Sequence, residues 1–450
     1  MAYLRRKVDY FLEEWKADES RKPLILKGAR QVGKTESIRH FGERSYEHLI
    51  EINFVEEPKY KMIIEDGFKA EDIIKNISRI DPSKEFAEGN TLIFFDELQE
   101  FPEIVTSLKF FSIDGRFDVI CSGSMLGIQY KRIESNSVGY KTDYQMYSMD
   151  FEEFLWAMGD EVMMPYILSQ FEKKKPMGAF HRMAMDYFRQ YMIVGGMPQA
   201  VKKYVETRDF EKVDEVKRDI LALYRNDIKK YADNQETKVS AIFEEIPSQL
   251  QKHEKKFRLS TLRDDARMRD YSQAFFWLSD ARVVNCCYNS TEPSIGLKLN
   301  EDRTTVKCYL NDTGLLISHA FDERGIVSED LYRKLMFDKL EINQGMLVEN
   351  IVAQMLKAAG HNLFFFSNNS RTSVEDRMEI DFLIAKPTTT SRHNISPVEV
   401  KSGSRYTLTS LTKCIAKYAK DLSTPYVLHD KDVKVENGIV FLPLYMTPLL

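Results

Sequence analysis

Short apolar runs bounded by polar residues, spaced by stretches of helical periodicity, organise the first third of the chain. Pro23–Leu26, His48–Phe54, Thr91–Phe95 and Asp118–Cys121 read as buried strands, and a last strand falls near Tyr144–Met149. Glu36–Phe41, Asp72–Ile80 and Phe101–Ser112 carry helical spacing between them, and Phe151–Met158 follows as a further helix. Residues 1–22 form a charged amphipathic helix with Val8, Phe11, Leu12 and Trp15 on one side. Buried strands alternating with helices predict an α/β fold: a parallel sheet with helices on both faces. From Asp160 to Asp233 only helical periodicity remains, broken at Val194-Gly195-Gly196-Met197-Pro198, which predicts a helical lid with one tight turn. Thr237–Ser318 has short helices and then short alternating strands, among them Arg282–Cys286 and Val306–Leu310, the pattern of a winged-helix unit. A separate α/β block follows. The expected domains are 1–158, 159–235, 236–328 and 329–450, and the longest loop-like stretch is Pro387–Pro397.

Composition narrows this little. With 43% apolar and 30% charged residues the chain is globular in type. Its net charge of −5 gives no general attraction to nucleic acid, so such a surface would be local. No apolar stretch reaches the length of a membrane span, and Met1-Ala2-Tyr3-Leu4-Arg5-Arg6 lacks a secretory pattern. Cys121, Cys286, Cys287, Cys308 and Cys414 have no metal-type spacing, and their odd number argues against a disulfide framework, so the expected location is the cytoplasm.

The first chemistry lies between strand and helix, at Gly28-Ala29-Arg30-Gln31-Val32-Gly33-Lys34-Thr35. The pattern GxxxxGK[ST] in that context is a phosphate-binding loop for ATP. Backbone N–H groups would wrap the phosphates, and side chains at Gly28 and Gly33 would obstruct that approach. The helix start adds donors and the positive end of its dipole. Lys34 would neutralise the β and γ oxygens, and the Thr35 hydroxyl would ligate Mg²⁺. Asp96, ending an apolar strand, would hold Mg²⁺ beside Thr35, and Glu97 would orient and deprotonate the attacking water. Ser122, with Ser124 as second choice, closes the next strand, either sensing the γ-phosphate or capping a helix.

Residues 23–35, 91–97 and 117–124 together resemble the AAA-type P-loop ATPases. Met149-Asp150-Phe151-Glu152-Glu153-Phe154-Leu155, Gly195-Gly196-Met197-Pro198 and Tyr309-Leu310-Asn311-Asp312-Thr313-Gly314-Leu315-Leu316 are similar to stretches of one bacterial and archaeal branch. That resemblance implies a winged-helix unit and a C-terminal domain of uncharacterised function with a restriction-endonuclease-like fold. Relatives often carry Gly-Arg shortly before the last ATPase strand, where this chain has Gly139-Tyr140-Lys141. If that arginine completes a neighbour's site in those relatives, transition-state stabilisation in trans is in doubt here, and oligomerisation is left open. Arg132 is a substitute that the sequence does not position.

A second set of candidates lies in the last block. Glu349 flanks the apolar helix face of Leu347, Val348, Ile351, Val352 and Met355. Asp381 opens the strand Asp381–Ile384, and Glu399 and Lys401 leave one face of Pro397–Lys401. Carboxylates around a divalent metal with an adjacent lysine form a phosphodiesterase arrangement. Asp381 and Glu399 would be ligands, Lys401 would stand beside the attacking water, and Glu349 would orient a metal-bound water. The order of helix Glu, Asp and Glu-x-Lys, followed by the helix Thr407–Ala419, resembles the PD-(D/E)xK nucleases. Lys252, Lys255, Lys256, Arg258, Arg263, Arg267 and Arg269 offer a basic surface, but Thr237–Asn289 holds nine Lys/Arg against seven Asp/Glu. Phe275-Phe276-Trp277 reads as core. The sequence thus predicts an ATP-hydrolysing protein whose nucleotide state controls a DNA-acting nuclease-like domain. The alternative is a nucleotide-gated module whose inactive nuclease fold docks DNA or a protein partner. A small-molecule kinase would not explain Glu97 or the additional domains.

Overall fold

The computed structural model describes residues 3–124, 137, 139–252, 254–294, 296–322, 332–334, 344–370, 373–385, 394–403 and 406–450. Arg132, the boundary at 328/329 and residues 387–393 of the expected loop lie outside them. The chain divides into two units, residues 1–148 with 280–283, and residues 149–279 with 284–450.

In the first unit, β1 (Leu24–Lys27), β2 (His48–Asn53), β3 (Thr91–Asp96), β4 (Asp118–Gly123) and β5 (Thr142–Gln145) form a parallel sheet in the order β2-β3-β4-β1-β5. Every residue of β3 is buried, as expected of a central strand covered on both faces. On one face Ile25, Ile52, Phe95 and Cys121 pack with Ile73 and Ile77 of the helix Ala70–Ile80. The N-terminal helix is Lys7–Ala17 and buries Val8, Leu12 and Trp15, with Trp15 edge-on to Phe41 of the helix Lys34–Ser45. The expected helix 101–112 is two pieces, a 3-10 segment Pro102–Ser107 and an α-helix Leu108–Asp114.

The second unit begins with the helix Phe151–Ala157, which the sequence places at the end of the ATPase core. Its packing explains the difference, because Phe151 and Phe154 lie against Tyr191, and Phe151 also against Phe188. The helices Met163–Lys173, Phe180–Val194, Pro198–Thr207, Phe210–Tyr231, Glu236–Gln251 and Met268–Asp280 follow. Then come β6 (Val284–Ser290), β7 (Glu301–Leu310), the helices Thr313–Ala320 and Gln344–Ala358, β8 (Phe364–Asn368), β9 (Met378–Ala385) and β10 (Ile395–Val400). The helix Thr409–Tyr418, β11 (Tyr426–His429), β12 (Lys434–Glu436) and β13 (Ile439–Pro443) complete it. The strands make one mixed sheet in the order β12-β13-β11-β10-β9-β8-β6-β7. The hairpin β6–β7, which the sequence assigns to a winged-helix unit, is hydrogen-bonded into this sheet through the parallel pair Tyr288 and Phe364.

The motifs at 149, 195–198 and 309–316 meet in a buried network. Met149 N donates to Gly196 O (2.7 Å), and Gly196 N donates to Asp312 Oδ2 (2.7 Å). The Tyr191 hydroxyl donates to Met149 O (2.9 Å) and accepts from Gln354 Nε2 (3.1 Å). Gln354 Oε1 accepts from Thr313 N (2.8 Å), and Asn350 Oδ1 accepts from Leu310 N (2.8 Å). All but the Gln354–Tyr191 bond satisfy a buried backbone group that would otherwise carry a desolvation cost of about 1–3 kcal/mol. Together they fix the helix Gln344–Ala358, and with it Glu349.

Candidate active sites

The phosphate loop connects β1 to the helix Lys34–Ser45. A Cβ on Gly28 would stand 2.5 Å from Met146 O, and Gly33 holds φ at 96°, so glycine is needed at both places. Arg6, itself buried, braces the loop by donating to Val32 O (2.7 Å) and Tyr147 O (2.8 Å). Lys34 Nζ donates to the loop carbonyls Gly28 O (3.0 Å) and Ala29 O (2.9 Å). Strand register carries the next residues to the same end of the sheet. Leu26 lies opposite Ser122, Phe95 opposite Cys121, and Asn53 opposite Asp96.

Asp96 is the hub of that end. Its Oδ2 accepts from Thr35 Oγ1 (3.0 Å) and Asn53 Nδ2 (3.4 Å), and its Oδ1 accepts from Glu97 N (2.9 Å) and the Ser122 hydroxyl. Burial pushes the Asp96 carboxyl above the usual carboxylate range, and adjacent Glu97 adds to that, against the Ser122 and Thr35 hydrogen bonds. A buried carboxylate short of positive charge beside a threonine hydroxyl fits Mg²⁺, which takes oxygen ligands. Glu97 is half-buried at φ 57°, and this turn directs Gln99 back, so that Gln99 Nε2 donates to the Glu97 carboxylate. Gln99 Oε1 in turn accepts from Ser124 N (3.3 Å). The sequence analysis missed Gln99 and Asn53. Gln99 stands two residues past the acid pair, but nothing in the sequence marks it as buried.

The second set meets in a cleft of about 550 Å³ in the other unit, lined by Lys255, Glu349, Glu379, Asp381, Glu399 and Lys401 among others. β9 starts three residues earlier than expected, so Asp381 lies within the strand and Glu379 shares its face. Glu399 follows the Val398–Phe382 pair of β10 and β9, and Val400 N donates to Asp381 Oδ2 (2.9 Å). Lys401 Nζ donates to Glu399 Oε2 (2.6 Å), whereas Glu399 Oε1 is buried with no hydrogen-bond partner. Burial, reinforced by Asp381, raises the Glu399 carboxyl to about 8. Burial and Glu349 likewise raise Asp381. The deficit of positive charge at this pair and the orphaned oxygen both fit a divalent cation.

Lysines already neutralise the rest of the cleft. Glu349 accepts from Lys255 Nζ through Oε1 and from the Tyr309 hydroxyl through Oε2 (3.0 Å), so both of its oxygens are engaged. Burial would raise its carboxyl, but Lys307 and Lys255 outweigh that and hold it low. Glu379 pairs with Lys307 (3.0 Å) and Lys256 (2.9 Å), which overcome burial and bring it to about 2. The sequence analysis missed Glu379 and Lys307. Glu379 is legible only as the period-2 partner of Asp381. The basic surface expected at 252–269 is largely paired, with Lys252 on Glu245 (3.9 Å), Arg258 on Glu254 (2.9 Å), Arg263 on Asp265 (2.5 Å) and Arg269 on Asp270 (3.6 Å). Phe275 and Trp277 are core, while Phe276 is 59% exposed.

A parallel sheet in the order 2-3-4-1-5, with a glycine loop after β1 and acids at the end of β3, is the arrangement of a P-loop domain. Comparison agrees, since residues 20–155 match the family model of an AAA domain. Residues 185–324 and 344–447 match two domains of unknown function, DUF8612 and DUF4143. Comparison with curated proteins gives no match. Among solved structures the chain is similar to a Walker-type ATPase of Pyrococcus abyssi, with 14% identity over 70% of this chain and 96% of that one and a TM-score of 0.43. It is also similar to the Aeropyrum pernix ORC1 protein in complex with DNA, with 13% identity, 71% and 91% coverage and a TM-score of 0.29. For Cdc6p of Pyrobaculum aerophilum the values are 13%, 76%, 97% and 0.25. Scores this low define neither a shared overall fold nor a function. Among the described residues no helix is long and apolar enough to cross a membrane.

Proposed function

We propose that the N-terminal unit hydrolyses Mg-ATP and that the cleft of the second unit hydrolyses phosphodiester bonds in DNA. The observation that carries the first half is the hydrogen-bonded set of Thr35, Asp96 and Ser122 at the strand ends beside the phosphate loop. Thr35 and Asp96 would hold Mg²⁺, which neutralises charge on the β and γ phosphates. Lys34 exchanges the Gly28 and Ala29 carbonyls for phosphate oxygens. Glu97 takes a proton from water as the new O–P bond forms. The bond from the γ phosphorus to its bridging oxygen breaks, and its electron pair leaves with ADP. Gln99 holds the Glu97 carboxylate in place, and Ser122 holds Asp96.

In the cleft, the orphaned Oε1 of Glu399 beside Asp381 supports a metal-assisted reaction. Those two residues would hold the ion, which lowers the pKa of bound water. Lys401, kept charged because Glu399 outweighs burial, sits beside them to steady the charge that gathers on the phosphate. The engaged oxygens of Glu349 favour a different reading, a nuclease fold that binds DNA or a protein without cutting. Incubation of the full chain with supercoiled and linear DNA and Mn²⁺ separates the two. Cleavage lost in Asp381→Ala, with ATP hydrolysis intact, supports the nuclease; binding without cleavage under any divalent metal supports the alternative. Running the assay with and without ATP shows whether nucleotide state controls cleavage, as the sequence led us to expect. Mg-ATP at a hundredfold excess over Kd should stabilise the protein by about 2.7 kcal/mol, and Lys34→Ala should abolish that gain.

A further inference from the structure

Lys307 lies on β7, far in sequence from the acids it serves. Its Nζ is 3.0 Å from Glu379 Oε1, 3.8 Å from Glu349 Oε2 and 3.8 Å from Asp381 Oδ1. The side chain is 2% exposed and its ammonium lies over the Phe365 ring, 5.0 Å from the centroid. We propose that Lys307 is a resident cation that fills the place of a second metal ion, so that the cleft takes a single divalent ion, at Asp381 and Glu399. This inference rests on the phosphodiesterase reading of the same cleft.

Phosphodiesterase sites with two metals hold them about 3.5–4 Å apart, sharing carboxylates. Here the carboxylates divide into two sets. Glu349 and Glu379 are met by Lys255, Lys256 and Lys307, whereas Glu399 is met by Lys401 through Oε2 alone, its Oε1 buried without a hydrogen-bond partner. Asp381 borders both sets, with Oδ2 on Val400 N and Oδ1 facing Lys307. A second ion between Asp381 and Glu349 would have to stand beside the Lys307 ammonium, where like charges repel. Nor can the ammonium leave easily. Its departure would strand buried carboxylates. Lys307 is thus a positioning residue that holds Asp381 and Glu349 at a fixed spacing. It also limits the metal count.

The test is Mn²⁺ binding to the full chain without nucleotide, followed by electron paramagnetic resonance and equilibrium stoichiometry. Comparison with Glu399→Gln isolates the cleft from the phosphate loop. Wild type should bind one ion that Glu399→Gln loses, with the spectrum of an isolated Mn²⁺. Lys307→Met, which keeps the length and removes the charge, should bind one ion more than wild type and show a spin-coupled pair. A coupled pair in wild type, or an unchanged count in Lys307→Met, overturns the inference and leaves the nuclease reading standing. If Glu399→Gln loses no ion, the nuclease reading itself fails and takes this inference with it. Should Lys307→Met not fold, the wild-type spectrum decides alone: an isolated ion supports the inference and a coupled pair overturns it.

Discussion

The phosphate-loop site and the C-terminal cleft both keep carboxylates out of water, yet they treat positive charge in opposite ways. In the first, Lys34 rests on the backbone carbonyls of Gly28 and Ala29, and Asp96 is met by hydroxyl, amide and backbone donors. The donors that meet Asp96 are neutral, and a bound metal ion would supply the positive charge. In the second, Lys255, Lys256, Lys307 and Lys401 contact Glu349, Glu379 and Glu399 within the protein itself. A site whose counter-charges come with the ligand should respond strongly to that ligand in stability. A site that carries its own cations should respond weakly and depend on them for folding. The difference also separates local from long-range construction, since eight consecutive residues build one loop whereas the cleft draws on strands and a helix from 255 to 401.

The sharpest way to break this comparison is to remove a resident cation. Lys255→Met leaves Glu349 buried with Lys307 at 3.8 Å and the Tyr309 hydroxyl, and should destabilise the second unit by about 3 kcal/mol in chemical denaturation. A loss within experimental error would mean that the lysines are not structural. Next in size, Gln99→Ala frees the Glu97 carboxylate and should slow ATP hydrolysis about tenfold while nucleotide affinity stays unchanged. Weaker nucleotide binding at an unchanged turnover rate would show that Gln99 contacts nucleotide instead.

The smallest effect is a pH slope. Glu399 titrates near 8 in the folded chain against an ordinary 4.5, so between those values the native state holds a proton that the unfolded chain has released. Metal-free stability therefore should fall as pH rises through that window, by the contribution fully present below 4.5. Thermal melts across that range, compared with Glu399→Gln, check the sign. A slope that the substitution does not flatten must belong to another group.

How much of this was legible in the sequence follows from distance along the chain. The phosphate loop, Asp96 and Ser122 could be read because each sits at the end of an apolar run, and parallel strands end at one edge of a sheet. Gln99 could not, because its role depends on the left-handed turn at Glu97, which no periodicity reveals. In the cleft, Glu349, Asp381, Glu399 and Lys401 were readable from helix-face and strand alternation. Lys307 was hidden, since Val306-Lys307-Cys308 looks like any half-buried strand until the parallel pairing of β6 with β8 brings the hairpin to the acids. The helical reading of 101–112 failed for a local reason. The segment is 3-10 from Pro102, where a proline at the first position costs no helical hydrogen bond, and α-helical geometry begins only at Leu108.

We expect Glu97, held by Gln99 beside Asp96, to activate the water that attacks ATP. That role is tested most directly by single-turnover hydrolysis of Mg-ATP by Glu97→Gln, with nucleotide binding measured on the same preparation. The account predicts ATP affinity within about twofold of wild type and hydrolysis slower by about 10²–10⁴-fold. Hydrolysis at the wild-type rate with binding intact would contradict it.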